Sequence, residues 1–197
     1  MIKHTQSNLL LMKEITSFLK SRNNNYNLWY WAISVPLTER LDQLFGRHNF
    51  LVDGLEKNKK IITDGTVLDL GCGFCPYWPF LSKLGYNRFL GYDLYSKRGY
   101  GSQEYMKTAK LLVEEFCEDC EFMIVEDDVR NIAFFDPGKT SFLASSEPNF
   151  VKEKNFDLIY TKNTDYKKVG STGIPVKIFE DVCKDYLKQD GTRIYAG

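Results

Sequence analysis

The 197 residues suit one domain with a small N-terminal extension, and 43% hydrophobic with 15% aromatic residues excludes a compositionally disordered chain. Basic and acidic residues balance at 26 each, so no basic excess marks a nucleic-acid backbone as the main partner, although a local patch stays open. No stretch approaches the ~18 apolar residues of a membrane helix, and no long apolar run follows Met1-Ile2-Lys3-His4 as a secretory signal requires. The expectation is a soluble, cytoplasmic protein.

In chain order, Leu11, Ile15 and Phe18 recur at i, i+4 and i+7 with Leu19 beside them, which predicts a helix over residues 8–22. Asn23-Asn24-Asn25 breaks it. Tyr26, Trp29, Tyr30 and Trp31 follow, and these rings either pack the N-terminal helices onto the body or form a lid over a ligand. Ser34 and Pro36 signal a second helix, with Leu37, Leu41, Leu44 and Phe45 on its inner face. It fades into Lys57-Asn58-Lys59-Lys60, a solvated helix end that suits the negative pole of the helix dipole. His4 and His48 are the two histidines, and neither adjoins a motif.

From residue 63 short apolar runs alternate with helical patterns. Strands are predicted over 66–70, 88–93, 121–126, 156–161 and 192–196. Helices are predicted over 76–84, closed by Gly85, over 102–117, with Met106, Ala109, Leu112, Val113 and Phe116 inward, and from Pro175 through Leu187. Residues 94–101 read as a polar loop, 136–154 as a connector with at most one helical turn, 170–173 as a flexible loop, and Lys188-Gln189-Asp190-Gly191 as a turn. Strands alternating with helices predict an α/β fold with a doubly wound, mostly parallel open sheet of five evident strands, preceded by N-terminal helices. There is no internal repeat.

The chemistry concentrates in Thr66-Val67-Leu68-Asp69-Leu70-Gly71-Cys72-Gly73-Phe74-Cys75-Pro76. A buried strand ends in a carboxylate, two glycines let the backbone turn sharply and a ligand approach closely, and a proline can open the next helix. Free N–H groups at that helix start are then expected to face the ligand. A second acid, Asp93, ends the next apolar run. In such sheets both acids stand at the carboxyl ends of adjacent parallel strands, where ligands bind. The five cysteines include two Cys-x-x-Cys pairs, Cys72/Cys75 and Cys117/Cys120. Their separation of about 40 residues exceeds the ~15–20 of zinc ribbons, so reduced, mostly buried thiols are expected rather than a metal site.

Asp69-Leu70-Gly71-Cys72-Gly73-Phe74-Cys75 with Asp93 resembles the first motifs of the class I S-adenosylmethionine-dependent methyltransferases, whose pattern runs acid-x-Gly-x-Gly-x-Gly. Cys75 stands where that pattern has its third glycine. The resemblance implies a Rossmann-like core over 63–197 that binds S-adenosylmethionine, with residues 1–62 as a helical extension or lid. It implies that Asp69 supports the turn and the cofactor's amino group, and that Gly71, Cys72 and Gly73 border the cofactor's amino-acid end. Asp93 would accept both ribose hydroxyls, with Leu94 next to it. Asp128 would take the adenine amino group and Val129 would pack on the ring. Asp127 is a rival for the Asp128 role, and a helix N-cap is the other reading of that acid. The resemblance stops short of the family's last two strands. The open edge this leaves would be covered by the N-terminal helices, by a partner or by a second copy in a homodimer.

The implied activity is in-line methyl transfer, with no metal, to a small-molecule or protein acceptor. Lys162 stands where the metal-dependent relatives carry an aspartate, and Asn163-Thr164-Asp165-Tyr166 has no proline as the DNA-methylating motif would. Asn163, Asp165 and Tyr166 are placed to meet substrate, but no catalytic base is assigned. Other reactions of the same cofactor share this pocket. A nicotinamide-dependent dehydrogenase is disfavoured because Pro76 occupies the third glycine position of its fingerprint. A truncated or catalytically inactive binding module is the remaining alternative.

Overall fold

The structure, a computed structural model, describes residues 6–21, 55, 62–94, 102–134, 141–145, 155–162 and 174–196. The chain divides into two compact units, Met1–Lys59 and Lys60–Gly197. In the first, helix α1 spans Gln6–Ser21 and buries Leu11, Met12, Ile15 and Leu19, the stripe that the 3.6-residue period marks. Phe18, expected on that stripe, is half-buried at its margin. The aromatic cluster 26–31 and the second N-terminal helix lie outside the described residues.

The second unit is a six-stranded sheet. Its elements are β1 (Gly65–Leu70), α2 (Trp78–Ser82), β2 (Tyr86–Asp93), α3 (Ser102–Phe116), β3 (Glu121–Glu126), a 3-10 helix (Val129–Phe134), β4 (Ser141–Ala144), β5 (Phe156–Lys162), α4 (Val176–Tyr186) and β6 (Leu187–Ala196). The strand order is β4-β3-β2-β1-β5-β6. All pairings are parallel except β3 with β4. The chain winds outward from β1 to β3, then returns to lay β5 on the other side of β1. The reversal between β1 and β5 is the topological switch point, where open α/β sheets bind ligands at the strands' carboxyl ends.

Both faces of the central strands are buried, which explains their near-continuous apolar runs. On one face Leu68, Leu70, Leu90, Tyr92, Met123 and Val125 form a core with Phe179, Val182, Cys183 and Tyr186 of α4. On the other, Trp78 is fully buried and stacks on Phe89 with ring centroids 4.9 Å apart. Removing a buried ring of this size costs about 3–5 kcal/mol.

Three predicted boundaries change. The connector 136–154 contains β4, an antiparallel edge strand paired with β3 through Met123↔Ala144 to Glu126↔Ser141. Four residues are too few to show alternation, and Ser145, read as loop, closes the pairing by accepting from the Phe122 N–H at 2.9 Å. Among the described residues the sheet therefore has six strands rather than five. The Lys188–Gly191 turn is instead a bulge inside β6, because Phe156 pairs with Leu187 while Leu158 pairs with Thr192. Lys188 Nζ donates to Asp157 at 2.8 Å and fixes the bulge. Helix α2 is shorter than predicted: Pro76 and Tyr77 lie in turns, and the helix starts at Trp78.

Candidate functional site

The bend after β1 is fastened to the end of β2. The Gly71 and Cys72 N–H groups both donate to the Tyr92 carbonyl, at 2.7 and 3.2 Å, and the Gly73 N–H donates to Asp93 Oδ2 at 2.8 Å. Cys75 N–H then bonds the Cys72 carbonyl at 2.8 Å, and Trp78 N–H the Cys75 carbonyl at 3.1 Å. The expectation of free N–H groups at the helix start is thus corrected for Trp78, and the N–H groups of Gly71, Cys72, Gly73 and Cys75 ahead of it are paired as well. A backbone donor leaving a buried strand must be paired, and here the chain supplies the acceptors itself.

Gly71 and Gly73 have φ of +87° and +55°, the left-handed region that L side chains avoid. A Cβ on either would meet no described atom within 4 Å. Cys75 is also left-handed, at φ +59°. The backbone therefore keeps at Cys75 the conformation that a glycine would take there, although the side chain is present and fully buried. Gly91 answers a different need. A Cβ there would lie 2.7 Å from Cys72 Sγ and 2.9 Å from Trp78 Cζ2, so its absence lets the bend sit down on β2.

Asp69 is buried beneath the bend. Its Oδ2 accepts from Trp78 Nε1 at 2.9 Å and from the Tyr160 hydroxyl at 2.5 Å. Burial pushes its carboxyl up to about 7, against the pull of these two bonds, and the nearby Asp93 charge adds to the rise. Tyr160 faces Asp69 because β5 pairs with β1 in the register Asp69↔Tyr160, and Thr161 Oγ1 donates to the Leu70 carbonyl at 2.7 Å beside it. Tyr160 and Thr161 thus tie the two strands at the switch point. Sequence reasoning assigned them no role, since only the strand register reveals a contact between residues 91 positions apart.

Asp93 ends β2, is 3% exposed and is joined to the glycine bend as described. Leu94 follows it, half-buried. Asp69 and Asp93 are therefore brought together. Asp128 stands two residues past Glu126, the β3 partner of Asp93, but its carboxylate turns to its own segment. Oδ1 accepts from the Arg130 N–H at 3.0 Å and from Arg130 Nε at 2.8 Å, and Oδ2 pairs with Arg130 Nη2. This is the N-cap reading, reinforced by a guanidinium fork. Asp127 is likewise local, accepting from the Asp128 N–H and from Asn131 Nδ2. Val129 is buried in the core with Leu70 and Tyr92. Asn163, Asp165, Tyr166 and the 170–173 loop lie outside the described residues.

Among the described residues no group of three or more His, Cys, Asp or Glu is arranged to hold a metal ion, and all five cysteines are free. No helix among them is long and apolar enough to cross a membrane.

No protein-family model matches the sequence, nor does any curated protein. Solved structures do match. PH0226 protein from Pyrococcus horikoshii aligns with a TM-score of 0.50 at 19% identity, over 87% of this chain and 62% of that one. An S-adenosylmethionine-dependent methyltransferase from Clostridium acetobutylicum aligns at 0.45 and 16% identity, over 93% and 55%. Another from Aquifex aeolicus aligns at 0.44 and 19%, over 75% and 62%. The chain thus spans between 55% and 62% of the length of these structures. At 19% identity its likeness to the PH0226 protein is one of fold. With its switch point between β1 and β5 and its glycine bend after β1, the chain has a Rossmann-like α/β fold, the fold in which it is similar to the PH0226 protein.

Proposed function

We propose that this protein is an S-adenosylmethionine-dependent methyltransferase acting on a small-molecule acceptor, with a protein acceptor as the alternative substrate class. The observation that carries the reading is the 2.8 Å bond from the Gly73 N–H to Asp93 Oδ2. It joins the glycine bend to the acid of the neighbouring strand at the switch point. Gly71 and Gly73 carry no side chain, so the bend itself presents bare backbone to the amino-acid end of the cofactor. When bound, the cofactor supplies a methyl group on a positive sulfonium.

In this reading Asp93 accepts the ribose hydroxyls, since an ionised carboxylate is an acceptor only, with two oxygens. Asp69 acts from below, holding the bend through Trp78 and the β5 edge through Tyr160. The protein's share of catalysis is placement and exclusion of water, which account for much of such a barrier. Asp128 meets the adenine amino group only if Arg130 gives way. Arg130 is 63% exposed in its side chain, so its release costs little.

A binding module that does not transfer methyl groups is the second reading, favoured by the hold of Arg130 on Asp128. Calorimetric titration with S-adenosylmethionine and with S-adenosylhomocysteine tests the first. Saturable heat with both is expected, and Arg130→Ala should leave affinity equal or tighter. Absence of heat with either compound rejects the cofactor assignment.

A further inference from the structure

The Cys117/Cys120 pair takes no part in the site above. Helix α3 ends at Phe116, and the Cys117 N–H still bonds the Val113 carbonyl at 2.9 Å. Glu118 and Asp119 then form a turn, with Asp119 left-handed at φ +51°. A four-residue turn brings its first and last Cα within about 7 Å, and disulfides span about 4.4–6.8 Å. The turn therefore puts the two thiols on neighbouring positions within disulfide reach. Ser82 Oγ of α2 lies 3.6 Å from Cys120 Sγ on another side, and the protonated Cys120 thiol donates to the Glu118 carbonyl at 3.3 Å. Cys117 is buried, whereas Cys120 is half-buried and reachable from solvent.

We propose that Cys117 and Cys120 are a redox-active dithiol that a hydroperoxide converts into an intramolecular disulfide. The Cys120 thiolate attacks the peroxide oxygen. An S–O bond forms, the O–O bond breaks, and the leaving alkoxide takes a proton to become an alcohol, or water when the oxidant is hydrogen peroxide. Cys120 is now a sulfenic acid, oxidised by two electrons. The Cys117 sulfur then attacks it; the S–S bond forms, the S–O bond breaks, and hydroxide leaves as water with the Cys117 proton. Two thiols and one hydroperoxide thus give one disulfide, one alcohol and one water.

The division of roles follows from exposure: Cys120 is half-buried and can meet an oxidant, whereas Cys117 is buried behind it. The neighbouring Cys117 thiol and the Ser82 hydroxyl lower Cys120, while burial and Asp119 oppose the shift. The Cys120 neighbour and burial push Cys117 upward, so it keeps its proton until the second step. The thiolate is the attacking form. Cys72 and Cys75 have the same spacing and serve as an internal control. Both are buried, and burial raises Cys75 well above the usual thiol range, so this pair should stay inert.

The test treats the full chain with one equivalent of hydrogen peroxide at neutral pH, followed by non-reducing peptide mass mapping. Loss of two hydrogens on the peptide joining residues 117 and 120, reversed by dithiothreitol, is expected. Cys117→Ala should stop at a Cys120 sulfenic acid that dimedone traps. Cys120→Ser, at a half-buried position that tolerates the change, should slow peroxide consumption by about tenfold or more. Oxidation at Cys72/Cys75 ahead of this pair, absence of the disulfide in excess peroxide, or a Cys120→Ser rate equal to wild type would each overturn the proposal.

Discussion

Two carboxylates at opposite ends of the same sheet are held in opposite ways. At the amino end, Asp157 of β5 accepts from Lys188 Nζ at 2.8 Å and from both the N–H and the hydroxyl of Thr66 at 2.9 Å. Partial burial works to raise its pKa, but the bonds from Lys188 and Thr66 outweigh it and the carboxyl sits below its ordinary value. At the carboxyl end, Asp69 of β1 is fully buried with two neutral donors, Trp78 and Tyr160, and burial raises it to about 7. A carboxylate matched to a cation stabilises the fold. One held by neutral donors near a second acid costs stability, and such groups gather at functional sites.

The largest effect that can sharpen this contrast is the pH dependence of Asp69. Its folded pKa, about 7, exceeds the ordinary aspartate value of 3.8, so between these values the folded state keeps a proton that the unfolded state has lost. Its contribution to stability therefore falls as pH rises from about 4 to 7 and is flat above, by an amount on the order of a few kcal/mol. Asp69→Asn should remove this slope, as read by urea midpoints across that range. An unaltered slope would show that the proton sits elsewhere.

Asp157 should behave with the opposite sign. Its lowered pKa gives stability that is present above the ordinary aspartate value of about 3.9 and is lost as pH falls through the folded value. Asp157→Ala should cost about 1–3 kcal/mol at neutral pH by leaving the Thr66 N–H without its acceptor. Lys188→Met should cost less, because the ammonium is partly exposed. Cofactor affinity should be unchanged in both, and a loss of affinity would break the separation of the two ends.

The smallest effect concerns Cys75. Glycine there would relieve a left-handed residue, worth about 1–2 kcal/mol, and would lose a buried side chain of similar worth. Cys75→Gly should therefore move the unfolding free energy by less than about 1 kcal/mol, measured by denaturant titration. A large loss would mean that the thiol itself holds the bend.

How much of this was legible in the sequence depended on whether the signal was local. Asp69, the glycine bend and Asp93 could be placed at strand ends because each strand is a short apolar run closed by an acid. Helix α4 could be placed because Phe179, Val182, Cys183 and Tyr186 repeat at helical spacing. Strand β4 could not, since four residues at a sheet edge carry no period. The β6 bulge was read as a turn because Lys188-Gln189-Asp190-Gly191 has turn composition, and its anchor, Asp157, lies 31 positions away. Asp128 was legible as a residue and ambiguous as a role. The same acid suits a cap and a ligand contact, and Arg130, two positions on, occupies it in this structure.

The central claim is that the carboxyl end of the sheet, and not its base, receives a nucleoside at Asp93. The most direct measurement is the S-adenosylhomocysteine dissociation constant of Asp93→Ala beside that of Asp157→Ala, each with its melting temperature. Loss of charge-assisted bonds at about 1.5–3 kcal/mol predicts an affinity roughly 10- to 150-fold weaker for Asp93→Ala, with the chain still folded, and wild-type affinity for Asp157→Ala. Wild-type affinity in a folded Asp93→Ala protein would contradict the account.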